Sequence, residues 1–204
     1  MQSLKTTLSP SATNMIRMDH AHTMAAFHKF HPDTSAGTKM ALAKQICLAL
    51  EVHATLEEEI FYPAVFQASR DSSVHAKSVP EHDEMRRLIA QIRAMDTGDT
   101  ELDDTLMELM RCVIHHVADE ETVLLPQAER LLGKDRLGEL GAQMTRRRMA
   151  LLAPRAGELT TTMVRAAPVK SSLMALGTLL VGAYLIDRLW NDGHQSDRLR
   201  RLMA

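Results

Sequence analysis

The chain has 204 residues, which suits one domain with an appendage and is enough for a self-sufficient core. Hydrophobic residues make up 45% and charged residues 25%, while aromatics are only 3%, Met reaches 14 and alternating β-branched runs are missing; the balance favours helices. The net charge of -2 is unevenly placed: residues 1–142 hold 14 Lys+Arg against 22 Asp+Glu (-8), and residues 143–204 hold 10 against 4 (+6), so the acidic body argues against general nucleic-acid binding.

The first 15 residues, "MQSLKTTLSPSATNM", lack the apolar run of a secretion signal. Cys47 and Cys112 stand far apart and make no disulfide framework, so a reduced, cytoplasmic setting is expected. A first helix is predicted over roughly 11–30, ending before "HPDTSAG", and a second over roughly 38–68. The third is expected to begin near "SVPE", where Ser78 and Glu81 have capping-box spacing and Pro80 fits the first turn, and to end near Gly98. A fourth covers roughly 100–132, with Gly133 as its C-cap. The short connections imply an all-α fold, an antiparallel up-and-down four-helix bundle with additional C-terminal helices. The expected organisation is a bundle over 11–132, a short helix and linker over 133–170, and an apolar helix with a basic tail over 171–204.

The inward faces of two helices carry polar residues. In the fourth, Leu102, Leu106, Leu109, Val113, His116, Glu120 and Val123 follow at alternating steps of four and three. The second gives Leu42, Ile46, Ala49, His53, Glu57, Ile60 and Ala64. "HATLEEEIFYP" from His53 matches "HVADEETVLLP" from His116, both reading H-x3-E-x5-P, at an offset of 63. His20 in "DHAHTM" and His82 in "EHDEM" are 62 apart, each preceded by an acid. The chain therefore reads as two copies of one two-helix unit.

Residues four apart share a helix face, so His53 with Glu57 and His116 with Glu120 are placed to point into the bundle, where His20 and His82 join them. Buried carboxylates without partners are costly, and two divalent metals offset that charge. Four imidazoles and two bridging carboxylates suit iron or manganese better than a structural zinc site. His22 competes with His20 from another face of its helix, and the shared acid-His pairing favours His20. His115 competes with His116 but breaks the 63-residue offset. Glu58, Glu59 and Glu121 read most simply as exposed neighbours, with support of the ligands or alternative bridging as the lesser reading, and Cys112 as a small hydrophobe one turn before His116. Pro63 and Pro126 are expected to kink or stop their helices.

This pattern resembles the hemerythrin-like, HHE cation-binding domain family over about residues 15–131. The resemblance implies a non-haem di-iron centre held by His20, His53, Glu57, His82, His116 and Glu120. It departs from the family's oxygen carriers, which have a second His where Arg86 stands and His-x4-Asp in the last helix, against His116-x3-Glu120 here. With one His fewer, reversible oxygen transport is not expected. The chain looks like the branch associated with iron handling and with sensing of oxygen, nitric oxide or peroxide.

"SSLMALGTLLVGAYLI", 16 apolar and small residues from Ser171, is short of the ~20 a spanning helix needs, so membrane contact through 171–190 and attachment to an inner membrane stay open beside a protein-packed helix. Three functions follow: a di-iron sensor or iron-handling module for small oxidants, a di-iron enzyme that decomposes peroxide or reduces nitric oxide, and a membrane-tethered structural bundle. The enzyme ranks second because no further seam residue offers an obvious proton shuttle.

Overall fold

Ser11 opens the first helix: its hydroxyl accepts the Asn14 N–H at 3.3 Å, and α1 runs Ala12–Phe27. Ser35 caps α2, Ala36–Leu56, by accepting the Thr38 N–H at 3.4 Å. The chain continues through a π-helical segment, Glu57–Phe61, into α3, Tyr62–Ser69. Then come α4, Ser73–Ala94; α5, Leu102–Asp119; a second π segment, Glu120–Leu124; and α6, Leu125–Leu152, closed by a 3-10 turn at Ala153–Arg155. The computed structural model describes residues 9–69 and 73–157, all of whose regular structure is helical. The staves of an antiparallel four-helix bundle are α1, α2 with α3, α4, and α5 with the start of α6.

The third stave corrects the sequence expectation. It starts at Ser73, five residues before Ser78, and carries Pro80 inside it. Ser78 is no cap; it lies inside the helix and is buried. Glu81, its supposed capping partner, is committed elsewhere, to His116. The helix ends at Ala94, and Gly98, at φ +97°, turns the chain toward α5.

Pro63 and Pro126 neither stop nor break their helices. In an unbroken α-helix each ring would press on the carbonyl four residues back. Instead the turn ahead of each proline opens by one residue: Tyr62 N–H bonds Glu57 O, and Leu125 N–H bonds Glu120 O. The extra residue shifts the seam. Val123, expected inside, is 61% exposed and Leu124 is 5% exposed. In the other copy Phe61 is fully buried and Ile60 only partly. Ala49 also leaves the predicted seam for the surface, with Leu50 buried beside it.

Gly133 ends the fourth stave at φ 68° and ψ 170°, a glycine-only backbone conformation that is not the left-handed helical one of an ordinary C-cap. The helix after it is laid against the start of α1. A Cβ on Gly141 would stand 2.0 Å from the Pro10 carbonyl oxygen, so only glycine permits this approach. Leu137, Leu140 and Met144 bury there with Ala12, Met15 and Ile16 in one core layer. A second layer gathers Phe27, Ile46, Leu88, Ile92, Leu106 and Leu109 toward the other end. Among the described residues no helix is long and apolar enough to cross a membrane. The stretch 171–190 lies outside them, as do the rest of the linker beyond 157 and the expected C-terminal helix.

Candidate metal centre

Between the two apolar layers the bundle interior is polar. His20 comes from α1, His53 from the end of α2, His82 from α4 and His116 from the end of α5, while Glu57 and Glu120 each open a π segment. All six side chains are buried, Glu57 completely. His22, the competitor of His20, is exposed, and His115 is 70% exposed.

The six form two overlapping groups, each with its donor atoms within 4.8 Å of one another: His20, His53, Glu57 and Glu120; and Glu57, His82 and His116. Glu57 Oε2 lies 3.3 Å from His53 Nε2, 3.4 Å from His82 Nε2 and 3.9 Å from His116 Nε2. Glu120 Oε2 lies 3.2 Å from His20 Nε2 and 3.5 Å from His116 Nε2. Both carboxylates thus reach imidazoles of both copies, and Glu57 alone of the six belongs to both groups.

Three of the four imidazoles are hydrogen-bonded from outside by another acid, and the fourth faces one at ion-pair distance. His20 Nδ1 is 2.9 Å from Glu121, His82 Nδ1 is 2.7 Å from Glu58, and His116 Nδ1 is 2.8 Å from Glu81. His53 Nδ1 lies 3.5 Å from Asp19. A carboxylate on Nδ1 leaves Nε2 facing the centre as a donor pair and raises its basicity. Glu58 and Glu121 are therefore more than exposed neighbours. Asp19 and Glu81 were visible as acids before His20 and His82, but each serves the histidine of the next helix, not its own neighbour. Glu59 stays outside the site, paired with Arg147 at 2.6 Å. Arg86, at the position where carriers have their extra histidine, turns outward to Glu58 at 2.5 Å.

Tyr62 is the residue the spacing did not reveal. Its hydroxyl lies 3.1 Å from Glu57 Oε2 and 2.8 Å from Glu120 Oε1, and its ring stacks on His82 at 5.8 Å. The one signal was a break in the repeat: position 125, 63 residues on, is Leu. Burial, then the charges of Glu57 and Glu120, push the phenol's pKa far above its ordinary 10, so it stays a hydrogen-bond donor. Cys112 is half-buried against the second core layer, among Glu84, Glu108, Arg111 and Arg87.

The donor set fits metal ions on its own evidence. Burial opposes the Glu57 charge, but His53, His116 and His82 outweigh it and hold the carboxyl well below its ordinary range. Burial likewise opposes the His116 cation, but Glu57 and Glu120 push its pKa up to about 10. The centre's buried atoms lacking a hydrogen bond include His20 Nε2, both His53 nitrogens, Glu57 Oε1 and Glu120 Oε2. Such orphans are rare and costly, and cations between them would use their lone pairs. A cavity of about 10 Å³ adjoins His20, His53 and His116, walled by Leu50, Met85, Val113 and Val117; that is near the room one water-sized ligand needs.

A helical bundle with a buried, duplicated His/Glu quartet defines a cation-binding protein of the four-helix class. Residues 11–128 match the family model of the hemerythrin HHE cation binding domain, and the chain belongs to that family. A hemerythrin HHE cation binding domain-containing protein from Mycobacterium kansasii has the same fold, at TM-score 0.62 and 18% identity, over 78% of this chain and 99% of that one. A DNA nickase from Nostoc sp. (strain PCC 7120 / SAG 25.82 / UTEX 2576) is 32% identical over 113 residues, 54% of this chain. The match spans only 31% of that relative's length.

Proposed function

We propose that the protein is a non-haem di-iron protein that senses or handles oxygen, nitric oxide, peroxide or iron. The observation that carries this reading is the sharing of Glu57 between two histidine pairs, His20 with His53 and His82 with His116. Two imidazoles and bridging carboxylates per ion suit iron, with manganese as the alternative occupant. Bound iron would supply redox chemistry and open coordination positions. The chain's own part is to hold His20, His82 and His116 by their Nδ1 atoms and His53 beside Asp19, exclude bulk water, and leave the small cavity beside His20, His53 and His116 for a small ligand. The test is to purify the chain, measure metal per chain, and record visible spectra before and after exposure to oxygen, nitric oxide and peroxide. Two irons with ligand-dependent bands support the reading; no iron or manganese sinks it.

A second reading, a di-iron enzyme that decomposes peroxide or reduces nitric oxide, gains from Tyr62. Its hydroxyl keeps a proton within reach of both carboxylates, which supplies the shuttle the seam otherwise lacks. Peroxide or nitric oxide turnover by the wild type that falls in Tyr62→Phe at unchanged metal content favours this reading; binding without turnover removes it.

The acidic body, at -8 over residues 1–142, supports a function without nucleic acid. The apolar run from Ser171 supports contact with the inner membrane through 171–190.

A further inference from the structure

The metal centre has a support outside the matched segment 11–128. Arg148 lies on α6, past the Gly133 turn, and its guanidinium forks onto both oxygens of Asp19, with Nη1 to Oδ1 at 2.9 Å. Asp19 faces His53 Nδ1 at 3.5 Å, and its side chain is only 14% exposed. The next residue back supplies a control built into the chain. Arg147 forks onto Glu59 at 2.6 and 2.8 Å, but that pair is exposed and Glu59 holds no histidine. Both arginines belong to the basic part of the sequence, and Arg155, at 2.6 Å from Glu51, continues the clasp.

We propose that Arg148 is a positioning residue of the metal centre: its fork fixes Asp19, Asp19 fixes the His53 imidazole with Nε2 toward Glu57, and metal binding and the docking of residues 134–155 therefore strengthen each other. This rests on reading the His/Glu cluster as a metal centre. The geometry favours Arg over Lys, because a planar fork meets both carboxylate oxygens and a single ammonium does not. The apolar burial of Leu137, Leu140 and Met144 keeps the helix in place without Arg148, so the coupling is separable from folding. Coupling between two sites is reciprocal: the factor by which docking tightens the metal is the factor by which the metal tightens docking.

The test titrates the full chain with ferrous iron under anaerobic conditions and follows amide hydrogen exchange across 134–155 with and without iron. In the wild type, iron slows that exchange. Arg148→Gln weakens iron binding about 10- to 100-fold, as loss of an orienting partner does, and abolishes the slowing. Arg148→Lys recovers part of the affinity, and Arg147→Gln keeps all of it. Wild-type affinity and exchange in Arg148→Gln overturn the proposal, and so does an equal loss in Arg147→Gln. Should Arg148→Gln fail to fold, Asp19→Asn carries the same test from the other partner: a comparable loss supports the proposal and wild-type affinity overturns it. A wild-type chain that takes up no ferrous iron defeats the metal reading itself, a distinguishable result.

Discussion

The two copies of the helical repeat agree at the centre and differ around it. His20, His53 and Glu57 correspond to His82, His116 and Glu120 at offsets of 62 or 63, and their contacts correspond too: His20 to Glu120 at 3.2 Å, His82 to Glu57 at 3.4 Å. The outer acids follow the same symmetry, Asp19 with Glu81 and Glu58 with Glu121. What stands behind them does not. Asp19 is clasped by Arg148, while Glu81 stands 3.9 Å from the exposed His115; Tyr62 reaches both central carboxylates, while Leu125 in its equivalent position packs in the core. A centre can keep its ligands fixed by repetition while the surroundings of each half are tuned separately.

The largest expected effect breaks the symmetry at Glu57. Because Glu57 belongs to both donor groups, Glu57→Gln should bring bound metal from about two per chain to near zero, whereas Glu120→Gln should leave the group of Glu57, His82 and His116 holding about one. In the metal-free state, losing the Glu57 charge from among its histidines should cost about 3–5 kcal/mol by urea unfolding. Equal metal loss in the two variants would mean that the ligand set is not shared as described.

The register slip is tested next. Leu124→Ala should destabilise by about 2–5 kcal/mol, and Val123→Ala by less than about 0.5 kcal/mol, because the π segment exchanges their places. An unbroken helix reverses that ranking.

Metal-free stability should depend on pH in two directions. Glu57, with its pKa lowered in the fold, contributes stability that is present above its ordinary 4.5 and lost as pH falls through the lowered value. His116, raised from 6.5 to about 10, contributes stability that is complete below 6.5 and lost as pH rises through about 10. Stability from urea unfolding should therefore plateau between about pH 4.5 and 6.5 and decline on both sides. Metal displaces the His116 proton, so the loaded protein should lose the alkaline decline. A flat alkaline limb without metal would show that His116 is not held as a cation.

Tyr62→Phe is the smallest change. It removes the hydroxyl between Glu57 and Glu120 and should cost about 1–3 kcal/mol with metal content unchanged. The converse variant, Leu125→Phe, touches no ligand and should leave the visible spectrum of the loaded protein as it is.

The polar seam, the repeat and the choice of His116 over His115 were legible because ligand spacing is a local property of a helix. The π segments were not: H-x3-E-x5-P marks where a proline falls, but whether the turn before it breaks or widens depends on packing against three other helices. The outer acids were visible only as neighbours. Asp19 follows its own helix in sequence but serves His53 across the bundle, and Arg148 meets Asp19 from 129 residues away. Contacts of that range are set by how the helices are arranged, which spacing along one helix does not encode.

The central claim is that two metal ions lie between the histidine pairs and share Glu57. Crystals of the iron-loaded full chain, measured at the iron absorption edge, test it directly. The account predicts two anomalous peaks in the bundle interior, one by His20 and His53 and one by His82 and His116, with Glu57 reaching both. A peak confined to the surface group of Glu81, His115 and Asp119, or none in the interior, would contradict it.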